Sequence, residues 1–172
     1  MQLTFKPSAE DHRVAKLAAL AIGIHVLESM LPSFLPGVKP GLANIITLVV
    51  FLLYGFELAA WVSLLRVLVG SLVLGTFLSP TFALSLSGAI ASVLILWLVS
   101  KVPKLGIGAV GLAILMAMAH MSAQFFVVYG FFIPHEAIFD VLPVLMTAAL
   151  VFGLLNGVLS QKVYIKLTRK LC

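Results

Sequence analysis

The sequence predicts an all-α fold, a polytopic integral membrane protein built as a bundle of six transmembrane helices with both termini in the cytoplasm. Three observations predict it. Of the 172 residues, 62% are hydrophobic and 10% charged, and the mean hydropathy is +1.20. Soluble domains carry about 25% charged residues, and a soluble fold of this length has too little interior to hide so much apolar surface, whereas a bilayer accepts it. Turn and breaker residues divide the chain into apolar blocks of spanning length. Nine of the eleven Lys and Arg residues fall in three groups: Lys6, Arg13 and Lys16; Lys101 and Lys104; and Lys162, Lys166, Arg169 and Lys170. Residues 1–172 form a single transmembrane domain, with no room for a separate soluble module.

The first span is expected from about Val14 to Leu31. His25 and Glu28 interrupt its apolar run and no small-x-small site follows, so it reads as a retained span rather than a cleaved signal. Pro32, Pro36 and Pro40 close it. The second span runs from about Gly41 to Gly55 and is short against the ~20 residues of a perpendicular span. It either begins earlier or sits beside a loop that dips into the membrane. The third covers about Leu58 to Leu74, and Gly75 to Pro80 turns the chain. The remaining three are expected over about Phe82 to Ser100, Ile107 to Tyr129 and Val141 to Gln161. Blocks such as Ile45 to Leu53 are apolar on every face, which argues for helices over the alternating strands of a membrane barrel. With the N-terminus inside, the nine clustered bases all lie on the inner side, leaving Lys39 outside and Arg66 within a span. That asymmetry sets the orientation of a multi-pass cell-membrane protein. It also gives the basic character a topological meaning, anchoring at anionic headgroups, rather than nucleic-acid binding.

Ionisable and amide side chains inside spans are expensive, so each is a candidate for function. Arg66 lies mid-span, where it needs either a carboxylate such as Glu28 or an anionic ligand. His25 and Glu28 are three apart and share one helix face, as do His120 and Gln124, four apart in the fifth span. Asn44 lies near the outer end of the second span and Asn156 in the inner half of the sixth, and these amides can equally be read as interhelical hydrogen bonds. Gly70, Gly75, Gly88, Gly111, Gly153 and Gly157 are read as close-packing positions. The stretch Leu35 to Gly41, stiff at its prolines and carrying Lys39, is either a lid over an outward cavity or a tight connector. The candidate substrate-binding set is therefore His25, Glu28, Lys39, Asn44, Arg66, His120 and Gln124.

Soluble-enzyme chemistry is poorly represented. There is no Gly-rich phosphate loop ending in Lys-Ser/Thr, no His-Glu-x-x-His and no Gly-x-Ser-x-Gly. The only aspartates are Asp11 and Asp140, so an Asp-rich magnesium–diphosphate site is absent, and no metal or cofactor is expected. The single cysteine, Cys172, lies in no metal-ligand spacing.

Glu28, the run Leu35 to Leu48 with its Pro-Gly-Val-Lys and Ala-Asn elements, Leu65 to Ser71, Ser79 to Phe82, and Ala119-His120 with Gln124 together resemble the heptaprenyl diphosphate synthase component I family, also called the Gx transporter family. Met121 follows His120 where the resemblance leads one to expect Asn. The family is related to the substrate-binding S components of energy-coupling factor transporters. That relationship implies an S-component-like six-helix bundle binding a small, anionic or vitamin-like solute from outside. It further implies a partner, a transmembrane coupling protein with paired ATPases, docking on small residues of the first span, here Ala15 and Ala19. The other family name implies a non-catalytic membrane subunit of heptaprenyl diphosphate synthase, in menaquinone side-chain synthesis, with catalysis in a prenyl synthase partner.

Overall fold

In the computed structural model, residues 9–30, 41–102 and 106–171 are described. They form six long helices: α1 (Ala9–Met30), α2 (Leu42–Tyr54), α3 (Phe56–Val73), α4 (Pro80–Lys101), α5 (Ala109–Val127) and α6 (Leu142–Leu171). A π-helical turn (Val128–Phe132) and a 3-10 turn (Glu136–Val141) join α5 to α6. No strand occurs among the described residues. The stretch around Lys39, and with it the choice between lid and connector, lies outside the described residues.

Local chemistry sets the helix ends. Gly55 alone separates α2 from α3. It takes φ 89°, a left-handed value that a residue with a Cβ adopts only under strain, and so reverses the chain in one residue. α3 stops in a Schellman motif. Gly75 (φ 66°) follows the last turn, Thr76 N donates to Ser71 O at 2.8 Å, and Gly75 N donates to Leu72 O at 3.2 Å. Gly75 is thus a helix stop rather than a packing position, since a Cβ there would meet nothing within 4 Å. α4 starts on Ser79, whose Oγ accepts from Phe82 N at 3.3 Å, with Pro80 at the first helical position.

The helices close a ring in which α1 packs on α3, α3 on α4, α4 on α5, α5 on α6, α6 on α2, and α2 on α1. α2 also touches α3 and α5, so it has the most neighbours. α5 and α6 approach closely because Gly153 and Gly157 face them. A Cβ at Gly157 would lie 2.7 Å from Val110 Cα, and one at Gly153 3.0 Å from Ile114 Cα.

Four helical segments are long and apolar enough to cross a membrane: Phe56–Val73, Pro80–Lys101, Ala109–Phe132 and Glu136–Arg169. Their apolar windows are 44%, 28%, 28% and 11% buried, so most of these surfaces face outward. Outward apolar faces on long helices are what a lipid-embedded protein presents. α1 carries charge near both ends, and α2 has only 13 residues, about 20 Å of helix.

Because consecutive helices run in opposite directions, each end of the bundle gathers the starts of some helices and the ends of others. Where α1, α3 and α5 begin, the interior is a dry cluster that includes Leu48, Val50, Leu58, Val62, Leu96, Leu112 and Met116. The candidate residues gather at the opposite end.

Candidate functional site

A cavity of about 390 Å³ opens at that end. His25 and Glu28 come from the last turns of α1, Gly41 and Asn44 from the start of α2, and Arg66 and Val67 from α3. Thr81, Leu84 and Ser85 come from the start of α4, Ala117, His120, Met121 and Gln124 from the later part of α5, and Ala149, Phe152 and Asn156 from α6. Six of the seven candidates drawn from sequence therefore line one space, and Lys39 lies outside the described residues. Ala15 and Ala19 sit apart from it, on an exposed face of α1.

Glu28 has a definite structural task. Its Oε1 accepts from Gly41 N and, at 3.2 Å, from Leu42 N. Those are unpaired amides at the N-terminus of α2, and no side chain of α2's own start caps them. A carboxylate there also meets the positive end of the helix dipole. Asn156 secures the same junction from α6 by donating to Gly41 O at 3.4 Å. The start of α2 is thus held by α1 on one side and α6 on the other.

Arg66 is 4% exposed, and its Nε has no hydrogen-bond partner among the described residues. No hydrogen bond or ion pair joins it to Glu28, although the two charges attract through space. A guanidinium carries five donors, and burying it without partners is costly. The pairing with Glu28 weighed from sequence is not formed: Glu28 is committed to α2, and the guanidinium is left on the cavity wall.

The two cavity histidines are seated by glycines. A Cβ at Gly70 would lie 2.9 Å from the His25 ring, and one at Gly88 would lie 2.5 Å from His120. These glycines, read from sequence as helix–helix packing positions, instead make room for side chains. His120 Nδ1 lies 3.3 Å from Ser92 Oγ, which donates to Met116 O at 3.3 Å. Gln124 Nε2 lies 3.1 Å from His120 Nε2 and donates to Leu84 O at 3.3 Å. Four more polar atoms are buried without partners among the described residues: Asn44 Oδ1, Thr47 Oγ1, Ser63 Oγ and Ser160 Oγ. No group of three His, Cys, Asp or Glu side chains converges as a metal site among the described residues.

A sequence model of the family described as heptaprenyl diphosphate synthase component I matches residues 17–163. The chain belongs to that family. The match takes in every residue that lines the cavity and Ala19, and begins after Ala15. No curated protein and no solved structure matches the chain.

Leu84, Ser85, Ala117, Ala149 and Phe152 also line this family member's cavity and are not singled out from sequence. Small hydroxyls and apolar side chains are ordinary inside spans, so their only signal is position relative to the other helices.

Proposed function

We propose that this chain is a membrane-embedded binding protein for a small solute bearing an anionic group, resembling an energy-coupling factor S component. In this reading all six helices cross the bacterial inner membrane, both termini are cytoplasmic, and the cavity faces outward. The observation that carries it is Arg66: a buried guanidinium with an unpartnered Nε, on the wall of a space large enough for a small metabolite. An anion there would supply the missing acceptors and offset the cost of the buried charge. His25, Asn44, His120 and Gln124 would contact the same solute, Lys39 would join them, and Glu28 would act through the start of α2. The chain has no nucleotide-binding motif, so energised transport would require partners, a coupling protein and its ATPases, meeting α1 at Ala15 and Ala19.

The family description favours a second reading, a non-catalytic membrane subunit paired with a prenyl synthase catalytic subunit. The cavity would then hold part of a lipid-like isoprenoid. The absence of aspartate clusters suits either role.

The deciding experiment identifies what co-purifies with the protein in mild detergent. The first reading expects a small water-soluble acid, and Arg66→Ala should weaken its retention by about tenfold to a hundredfold. Lipid alone on the purified protein, with a fall in long-chain prenyl synthesis in extracts lacking the chain, would transfer the case to the second reading.

A further inference from the structure

The wall formed by α4 and α5 has a polarity that can be worked out atom by atom. A main-chain carbonyl only accepts, so the Gln124 atom on Leu84 O is the amide nitrogen, donating at 3.3 Å. The tautomer that lets the amide also donate to His120 Nε2, 3.1 Å away, leaves that nitrogen unprotonated, at the expense of a ring hydrogen bond to the Gly88 backbone. The ring proton then sits on Nδ1 and is donated to Ser92 Oγ at 3.3 Å, whose own hydroxyl donates to Met116 O. Every donor in this chain is used, from a carbonyl of α4 to a carbonyl of α5. A proton on Nε2 instead would oppose two N–H groups across 3.1 Å. Gly88 keeps the ring in place, since any side chain there would overlap it.

One group is left over. Both hydrogens of the Gln124 amide are spent on the protein, while its Oε1 has no partner among the described residues and is not among the polar atoms sealed from the cavity. The cavity therefore offers a fixed hydrogen-bond acceptor on α5, with the cation of Arg66 on α3. We infer that the solute carries an N–H or O–H donor in addition to its acidic group, and that Gln124 Oε1 reads that donor. The inference rests on the proposed solute-binding role and narrows the ligand to hydroxy- or amino-substituted acids and acids of N–H heterocycles. Ser92, which does not line the cavity, is a positioning residue in this scheme, because it holds the histidine proton on Nδ1.

The test uses full-length protein purified from cells in mild detergent, with the small molecules it carries released and identified by mass spectrometry. Wild type, Arg66→Ala and Gln124→Met are compared, and reagents that tag hydroxyl and amine groups reveal donors. The expected result is an Arg66-dependent acid that takes a donor tag or contains a ring N–H, and that Gln124→Met retains about tenfold less well. An Arg66-dependent acid without any N–H or O–H donor overturns the inference and leaves the binding role standing. Equal retention by folded Gln124→Met does the same. If wild type and Arg66→Ala carry the same molecules, or none, the binding role itself fails. Nitrogen NMR of His120 in the wild type checks the scheme without any variant: it expects the Nδ1–H tautomer, and the Nε2–H tautomer overturns it.

Discussion

Where α1, α3 and α5 begin, the bundle interior is a largely apolar cluster that includes Leu48, Val50, Val62, Leu96, Leu112 and Met116, with the buried Ser160 beside Leu48 and Met116. At the other end the same helices surround an open space with Arg66, His25, His120, Asn44 and Gln124 on its walls. The contrast changes along single helices: α5 buries Leu112 and Met116 at one end and presents His120 and Gln124 two turns later. One end is organised to hold the helices together. The other holds a buried guanidinium whose Nε has no hydrogen-bond partner among the described residues, as a stability optimum alone would not.

The comparison can be broken by substitution. The largest effect is expected at the dry end. Leu96→Ala removes a side chain with no exposure and should cost about 2–5 kcal/mol in denaturant unfolding from micelles, with solute retention per folded molecule unchanged. A loss below about 1 kcal/mol would mean the dry end is not a packed core. On the cavity wall, Glu28→Ala strips the cap from Gly41 N and Leu42 N and should cost about 1–3 kcal/mol. Glu28→Gln keeps an acceptor oxygen and should cost less than half as much; equal losses would assign Glu28 a role other than capping. Inside the cavity, Arg66→Leu should leave stability level or raise it by about 1 kcal/mol, because it removes a buried charge whose Nε has no hydrogen-bond partner among the described residues, while solute retention is lost. A clear fall in stability would show that Arg66 serves packing after all. The smallest effect is expected for Thr47→Val, which replaces a buried, unpartnered hydroxyl with a methyl of similar size and should shift stability by less than about 1 kcal/mol, upward if at all.

Much of this was legible in the chain. Breakers are local, so Gly41 and Gly55 bracketed α2, and Gly75 to Pro80 marked the turn before α4. Charged and amide side chains inside apolar blocks stand out against their surroundings, so of the seven candidates the sequence offers, six line the cavity. What could not be read depends on three dimensions. A glycine that admits a histidine of the facing helix looks the same in sequence as one that meets a backbone, so the partners of Gly70 and Gly88 are not legible there. Glu28 was grouped with His25 by its spacing on α1, yet its partners are amides 13 and 14 residues away. Whether Glu28 pairs with Arg66 was likewise a question about the packing of α1, α2 and α3, which periodicity does not address.

The brevity of α2 has a consequence of its own. The usual length requirement for a membrane helix is a demand made by lipid, which tolerates no unpaired peptide group in its hydrocarbon. α2 is flanked by α1, α3, α5 and α6, so its neighbours, rather than acyl chains, stand beside most of its length. It is released from that demand and can stop about 10 Å short of the ~30 Å slab. Bilayer thickness should then be felt at the outward-facing α4 and α6, where mismatch forces tilting, and hardly at all by the helix whose start forms part of the cavity wall. On the proposed function, the cavity would be insulated from the mechanical state of the membrane around it.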